Sequence, residues 1–297
     1  MFRNRITVFT PTYNRAYIIN NLYQSLTKQL YKNFEWLVVD DGSTDNTSKL
    51  FDELMQNEEQ FSIRYYRQEN GGKHRAVNYG LDLAQGEIFF VVDSDDQLTP
   101  DALEKINSWF EQIGNDPNIK GIVANKGYSA TQTVNYYFDA PYLDKTFLDI
   151  WHYEEHGQNV LRGERAIAFY TDFHRKYKYP EFNGEKFMTE AVVYNRMAHD
   201  GYKMRFYNDI IWIFEYQDDG LSANGSEIYL KNPHGYGLWL KERADFLQID
   251  LLERLKMYYS FYCDLIGRCS VKEIAECIEA SMWIIKLSGI LYKMKHR

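Results

Sequence analysis

The chain has 297 residues, of which 45% are hydrophobic and 26% charged, and its formal net charge is −8 at pH 7. That much apolar side chain is typical of a folded protein and excludes disorder for most of the chain. The acidic balance argues against a general nucleic-acid-binding protein, although it is compatible with a phosphate-bearing ligand. The length predicts one large domain, or one domain with an appendage.

The cysteines and the N-terminal segment indicate a cytoplasmic protein. Cys263, Cys269 and Cys277 have no zinc-ligand spacing, so we expect free thiols in a reducing compartment. The first fifteen residues lead directly into a strand and a turn, without the apolar stretch of a signal peptide. No run approaches the roughly 18 apolar residues of a transmembrane helix.

Strand and helix patterns alternate over the first 115 residues. Short apolar runs predict strands at 6–9, 34–39, 62–66 and 87–92, with helices between them. The last run is nearly all apolar, which is typical of a central strand covered on both faces. Alternation at this spacing predicts an α/β fold with a doubly wound, mostly parallel sheet.

A polar cluster follows each predicted strand: Thr10–Tyr13, Asp40–Ser43, Asn70–His74 and Asp93–Asp96. Ligands of such sheets bind beyond the carboxyl ends of the strands. We therefore expect four separate loops to converge on one crevice.

Three carboxylates, Asp93, Asp95 and Asp96, follow the buried strand directly. An Asp-x-Asp pattern alone is common in solvated turns. Here it lies beside three other polar strand ends. The three carboxylates would repel one another unless a positive charge lay among them. A hard divalent cation, bound by carboxylates and substrate phosphate, is the simplest arrangement.

The pattern loosens after residue 115. The remaining predicted elements are strands at 121–124, 133–138 and 210–216, shorter helices at 143–155 and 187–199, and two long helices at 236–267 and 271–294. The two long helices are expected to be an appendage to the main domain.

Four segments resemble motifs of the family 2 glycosyltransferases, which are nucleotide-sugar-dependent enzymes with the GT-A fold. The segments are TVFTPTYNR, FEWLVVDDGSTDNT, NGGKHRAVNYGLDLAQGE and IFFVVDSDDQLTPDAL. The resemblance implies a GT-A domain over residues 1–225, with a nucleotide-binding half (1–115) and an acceptor half (116–225). A C-terminal helical extension, 226–297, follows.

The resemblance assigns the nucleoside to the first two loops. Pro11, Thr12 and Tyr13 match residues that line the nucleoside. Asp41 matches the carboxylate that reads the base, with Asp40 beside it.

The resemblance assigns the diphosphate to the Gly-rich helix start. Lys73 follows the double glycine and is expected to face the diphosphate. Many members have Ala-Arg-Asn in the following helix, where this chain has Ala76-Val77-Asn78. A phosphate contact from that Arg is therefore in doubt, with Arg75 or Lys73 as substitutes, whereas Asn78 is kept as a nucleotide-binding residue.

The Asp-x-Asp segment is expected to hold Mn²⁺ or Mg²⁺. Asp93 matches the ribose-side or metal-side carboxylate, and Ser94 is counted with the nucleotide-binding residues. Asp95 matches the direct metal ligand, and Asp96 is expected to face the sugar.

A segment of the second half, residues 187–196, resembles the family's Glu-Asp-x-x-Leu-x-x-Arg motif. It places Glu190 where the family has its catalytic Asp, although Thr189 replaces the preceding acidic residue. Glu185 is the rival. The implied mechanism is an inverting in-line displacement with a carboxylate as general base.

The implied function is transfer of a sugar from a nucleotide diphosphate donor, with UDP-sugars favoured, to a glycan or lipid-linked acceptor in polysaccharide or glycolipid synthesis. A nucleotidyltransferase is disfavoured because the first loop lacks a Gly-rich basic signature. The chain could instead be a catalytically inactive nucleotide-sugar-binding or scaffolding subunit, because Thr189-Glu190 differs from the Glu-Asp pair of the family motif. The sequence does not indicate the oligomeric state.

The tail suggests contact with a membrane. Residues 280–297 contain four Lys or Arg residues and no acidic residue, with Trp, Ile and Leu at helical spacing. Such a segment would suit peripheral binding at the inner face of an anionic membrane. A packed amphipathic helix is the alternative.

Overall fold

The computed structural model describes residues 4–58, 60–217, 219–220 and 225–295, and its side chains from 5 to 290 within those ranges. The chain divides into two compact units, of which the first comprises Met1–Lys178 and Met197–Gln217. The second comprises Tyr179–Arg196 and Asp218–Arg297. The segment 179–196, expected in the acceptor half, is thus grouped with the C-terminal helices.

The first unit is built on a single sheet. Within the described residues its ten strands are β1 (Asn4–Thr12), β2 (Phe34–Asp40), β3 (Ser62–Arg67), β4 (Gly86–Val91), β5 (Gln97–Leu98), β6 (Ile119–Ser129), β7 (Gln132–Thr133), β8 (Leu143–Lys145), β9 (Arg165–Tyr170) and β10 (Lys203–Ile213). The strand order is β3-β2-β1-β4-β9-β6-β10-β5, with β7 paired to β6 and β8 paired to β10.

Helices connect these strands. The first unit contains α1 (Asn20–Thr27), α2 (Thr47–Asn57), α3 (Lys73–Leu83), α4 (Ala102–Ile113) and α5 (Thr171–His174). The next helix, α6 (Glu190–His199), begins in the second unit and ends in the first.

The first four strands form the predicted parallel arrangement. β1 pairs in parallel with β2, where Thr12 lies opposite Asp40, and with β4, where Phe9 lies opposite Val91. β3 pairs in parallel with β2. The carboxyl ends of these strands therefore share one edge, and the predicted α/β fold is confirmed.

The strand β9, which the sequence analysis missed, makes the sheet mixed. It lies between β4 and β6 and is antiparallel to both, with Phe169 opposite Phe89 and Ala168 opposite Ile122. Beyond β4 the sheet is therefore mixed. β9 is antiparallel to its two neighbours, whereas β6 and β10 are parallel to each other.

Two predicted elements of the acceptor half are wrong. Residues 143–155 do not form a helix: β8 pairs with β10, and a single 3₁₀ turn follows at Asp149–Trp151. The Arg205 guanidinium donates to both carboxylate oxygens of Asp144 at 2.7 Å, so strand pairing and this ion pair outweigh the apolar spacing. The strand expected at 133–138 ends at Thr133 as part of β7.

The C-terminal part is helical, as predicted, but its helices are shorter than expected. They are α7 (Glu227–Leu230), α8 (Pro233–Phe246), α9 (Leu251–Leu265), α10 (Val271–Cys277) and α11 (Met282–Lys295). Each of the two long predicted helices is interrupted. The first breaks between Phe246 and Leu251, where Asp250 accepts from the Glu253 N–H and begins α9. The second begins at Val271 as predicted, after the capping box of Ser270 and Glu273, but it breaks between Cys277 and Met282, where Glu279 has a φ of +48°. Within the described residues, no helix has the length and apolarity needed to span a bilayer.

Candidate active site

The four polar strand ends meet at the carboxyl edge of the parallel strands. The Asp41 N–H donates to the Thr12 carbonyl at 2.8 Å, and the Asn14 N–H donates to Ser43 Oγ at 2.8 Å. The Lys73 ammonium lies 2.7 Å from Asp93 Oδ1. Each loop therefore contacts a neighbouring one, as the alternating pattern predicts.

Asp40 faces the protein interior. Its side chain is fully buried, Oδ1 accepts from the Ser43 N–H at 2.7 Å, and Oδ2 accepts from the Tyr65 hydroxyl. Burial and this carboxylate raise the pKa of Tyr65 above its ordinary value. Asp40 thus fixes the turn after β2.

Asp41 holds the Gly-rich loop in place. Its Oδ1 accepts from Gln68 Nε2 and the Gly71 N–H, both at 2.8 Å. Its Oδ2 accepts from the Gly72 N–H at 2.7 Å and from Asn70 Nδ2 at 3.1 Å. A carboxylate offers about four lone-pair sites, so a contact with a base would require one of these donors to leave.

The end of β1 presents an unsatisfied hydroxyl. Pro11 and Thr12 are buried, whereas the Tyr13 side chain is 47% exposed. Among the described residues, the buried Oγ1 of Thr12 has no hydrogen-bond partner. A buried polar atom without a partner costs about 1–3 kcal/mol, so this hydroxyl suits a ligand contact. Asn78, on α3, and Ser94 are also buried.

The three carboxylates of the acidic turn, Asp93–Asp96, are unequally neutralised by the basic side chains around them. Burial raises the pKa of Asp93, but Lys73 and Lys126 outweigh burial and bring it below its ordinary value. Burial and the charge of Asp93 raise the pKa of Asp95, with Arg15 opposing at 3.8 Å. The same two causes raise the pKa of Asp96 to about 7.

The donor set of the acidic turn fits a divalent ion. Carboxylates that raise one another's pKa values are stabilised by an added cation. Among the residues that the structure describes, no three His, Cys, Asp or Glu side chains are arranged to hold a metal. Mg²⁺ is commonly bound through one or two carboxylates, completed by substrate phosphates and water. Asp95, with Asp93, is the pair suited to this role.

Sequence reasoning missed two residues at this edge. The Lys126 Nζ lies 3.9 Å from Asp93 Oδ2, and the Trp212 Nε1 donates to Asp96 Oδ2 at 2.7 Å. Lys126 could have been found from the sequence, because it is a lysine that follows the apolar run 121–124. The second was not recognisable, because nothing in the sequence pairs Trp212 with a residue 116 positions away.

The two candidate bases, both in the second unit, have different surroundings. Glu185 is buried, and its Oε1 accepts from the His234 N–H at 2.7 Å while Oε2 accepts from the Gly235 N–H at 2.9 Å. These donors belong to the first turn of α8, so Glu185 caps that helix. Glu190 is half-buried and is the first residue of α6.

Comparison with known proteins supports the resemblance. The family model "Glycosyl transferase family 2" matches residues 7–161, more than half of the chain. Glycosyltransferase GlyG of Streptococcus pneumoniae is 37% identical over 102 residues, which cover 34% of this chain and 33% of that protein. The GalNAc(5)-diNAcBac-PP-undecaprenol beta-1,3-glucosyltransferase of Campylobacter jejuni is 32% identical over 104 residues, with coverage of 34% and 33%. The chain thus matches about a third of these relatives' length.

Solved structures share the fold along nearly the whole chain. Staphylococcus aureus TarS 1–349 in complex with UDP-GlcNAc has a TM-score of 0.59 at 16% identity, covering 98% of this chain and 92% of that one. Mannosyltransferase PcManGT from Pyrobaculum calidifontis, in complex with GDP-Man and Mn²⁺, has a TM-score of 0.56 at 18% identity, covering 100% and 82%. The chain has the GT-A fold and belongs to glycosyl transferase family 2.

Proposed function

We propose that the chain is an inverting glycosyltransferase that transfers a sugar from a nucleotide diphosphate donor in cell-envelope glycan synthesis. The observation that carries this proposal is the cluster at the strand ends. There the acidic turn lies beside Lys73 and Lys126, and at the end of β1 the buried Thr12 hydroxyl lacks a partner among the described residues. These groups suit a ligand with a diphosphate, a sugar and a nucleoside.

Among the similar proteins TarS favours a UDP-sugar donor and the Campylobacter jejuni relative a lipid-linked acceptor, whereas PcManGT is in complex with GDP-Man. TarS is described in complex with UDP-GlcNAc and with UDP, and the Campylobacter jejuni relative is named for an undecaprenol-linked substrate. Exposed aromatic rings of the acceptor half suit stacking on an acceptor sugar: Tyr128, Tyr136 and Tyr137 are each more than half exposed.

In the proposed reaction, an acceptor hydroxyl attacks the anomeric carbon as the bond from that carbon to the diphosphate oxygen breaks. Glu190 takes the hydroxyl proton. We retain Glu190 over Glu185 because both oxygens of Glu185 already accept from the start of α8. Asp95 and Asp93 would hold Mn²⁺ or Mg²⁺, which when bound supplies positive charge for the leaving diphosphate. Lys73, beside Asp93, orients the diphosphate.

We further propose that the tail, 280–297, binds the inner face of an anionic membrane, which would bring a lipid-linked acceptor to the enzyme. On α11 the side chains of Trp283 and Ile290 are 66% and 56% exposed, and Leu287 is 40% exposed. The basic residues after 290 lie outside the described side chains. Co-sedimentation with vesicles containing anionic lipid, compared for wild type and Trp283→Ser, tests this contact; equal binding would contradict it.

The first experiment is thermal unfolding with UDP, GDP, dTDP and CDP, each with and without Mn²⁺. A ligand at about 100 times its Kd adds about 2.7 kcal/mol to the free energy of unfolding, which is a clear melting shift. We expect UDP with Mn²⁺ to give the largest shift. The absence of any shift would contradict the proposal. Binding without turnover toward any acceptor would favour the inactive scaffolding subunit.

A further inference from the structure

Lys126 is a nearly buried lysine at the carboxyl end of β6. Only 8% of its surface is exposed. Lysine is rarely buried to this extent unless its ammonium is paired, because an ammonium is strongly hydrated in water. Its position at this edge of the sheet therefore needs an explanation.

Trp212 holds the ammonium in place. In the parallel pairing of β6 with β10, Trp212 lies opposite Lys126, and the Nζ atom lies 3.7 Å from the centroid of the Trp212 ring. This distance is well within the range of a cation–π interaction. Trp212 is 3% exposed and donates to Asp96, so ring and ammonium are both fixed relative to the acidic turn.

The ammonium has unused hydrogen-bonding capacity. Its distance to Asp93 Oδ2 is 3.9 Å, longer than a hydrogen bond, whereas Lys73 is 2.7 Å from the other oxygen. Within the part of the chain that the structure describes, the Lys126 Nζ donates no hydrogen bond. An ammonium carries three donors, and those that do not face the Trp212 ring are available to a ligand.

The two ammonium groups together suit an anionic ligand with several oxygens. Lys73 and Lys126 approach different oxygens of Asp93, at 2.7 and 3.9 Å, and only Lys73 is within hydrogen-bond distance. Each phosphate of a nucleotide sugar carries one negative charge, so a diphosphate brings two charges and several acceptor oxygens. Lysine binds phosphate well as a compact point charge.

We propose that Lys126 binds the diphosphate of the donor directly, together with Lys73, and is a catalytic residue of the acceptor half. This inference depends on the proposed function. As the anomeric carbon bonds to the acceptor oxygen, the electron pair of its bond to phosphate passes to the diphosphate. Lys126 stabilises the negative charge that appears there.

The test compares two lysines of the same strand. Lys126→Met removes the ammonium and keeps an apolar stem of similar length. Lys120→Met is the matched control, because Lys120 also lies over aromatic rings, at 5.9 Å from Phe173 and 5.6 Å from Tyr202, near the other end of β6. Calorimetric titration measures the Kd of UDP with Mn²⁺, and NMR titration measures the Kd of uridine, which has no phosphate.

We expect Lys126→Met to raise the Kd of UDP about tenfold to a hundredfold, the range for a lost hydrogen bond between charged groups. The Kd of uridine should stay unchanged, Lys120→Met should bind UDP like wild type, and Lys126→Arg should recover most of the affinity. In turnover, Lys126→Met should lower kcat as well as raise KM, because the charge it stabilises grows in the transition state.

The outcomes separate this inference from the proposed function. If wild type binds none of the four nucleoside diphosphates, the proposed function is contradicted and this inference with it. If wild type binds UDP and Lys126→Met binds it within twofold, only this inference is overturned. Should Lys126→Met not melt cooperatively, Lys126→Gln, which keeps a donor over Trp212, replaces it with the same expectations.

Discussion

The loop after β2 and the acidic turn after β4 both present carboxylates at one edge of the sheet, but different kinds of donor hold them. Asp41 accepts from the backbone N–H groups of Gly71 and Gly72, whose positions the fold sets. Asp93 is held by ammonium groups on the long side chains of Lys73 and Lys126. A ligand can draw an ammonium away, whereas a backbone donor leaves only if the loop opens. The first carboxylate is therefore the more rigidly held of the two, and the second is the one whose partners can change.

The largest expected effect comes from removing the carboxylate that shapes the loop. Asp41→Ala leaves the Gly71 and Gly72 N–H groups without their acceptor, and it should lower the free energy of unfolding by about 3–4 kcal/mol. Urea denaturation measures this change. Asp52→Ala, on the exposed face of α2, is the control and should change the value by less than about 0.5 kcal/mol. If Asp41→Ala lowers the free energy of unfolding by less than about 1 kcal/mol, Asp41 is not held more firmly than Asp93 and the comparison fails.

The acidic turn should respond in the opposite way. Asp95→Asn removes a charge that repels Asp93, so the free energy of unfolding should stay the same or rise slightly. The Kd of UDP measured with Mn²⁺ should increase about 100-fold, or about 2.7 kcal/mol, while binding without metal changes little. Unchanged binding in the presence of Mn²⁺ would contradict the role proposed for Asp95.

The second unit repeats the comparison with two glutamates. Glu185→Ala removes the acceptor at the start of α8 and should lower the free energy of unfolding by about 2 kcal/mol, the upper range for a lost helix cap. Glu190→Gln should leave stability unchanged and lower turnover at least about 100-fold, with nucleotide binding retained. If instead a stable Glu185→Gln variant loses turnover and Glu190→Gln stays active, Glu185 is the general base and Glu190 is not.

The smallest effect concerns a buried imidazole below the site. His174 packs between Phe89 and Phe169, and burial lowers its pKa from 6.5 to about 3. The unfolded chain therefore binds a proton at a pH where the folded protein does not, and stability falls as the pH drops below 6.5. Between pH 7.5 and 5.5 this group should cost about 1.4 kcal/mol in urea denaturation. In His174→Phe that part of the pH dependence should vanish; if it persists, another group is responsible.

The sequence predicted the nucleotide-binding half well because its signals are local. The predicted strands at 6–9, 34–39 and 62–66 lie within β1, β2 and β3, and the polar residues after them meet as expected. The family was also identified from these motifs and is confirmed. The expected roles of the individual site residues stay predictions.

The missed features depend on contacts between distant residues. β8 forms because Asp144 meets Arg205, 61 positions away, although its apolar spacing suits a helix. The Trp212–Asp96 bond likewise forms where β10 pairs with β5, and Lys126 comes beside Trp212 only when β6 pairs with β10. In the C-terminal helices the cap at Asp250 was present in the sequence but did not stand out from a continuous apolar pattern, whereas the cap at Ser270 agrees with the predicted start at 271.

The antiparallel strand β9 means that the nucleotide-binding half cannot be separated from the rest of the first unit by truncation. β4 is almost entirely apolar, and on one side its partner is β9, in which Phe169 lies opposite Phe89. A fragment that ends near residue 115 would turn β4 into a bare apolar edge strand, which is a template for intermolecular pairing and aggregation. Because the two strands are 80 positions apart, this edge also stays open during synthesis until residue 170 has been added.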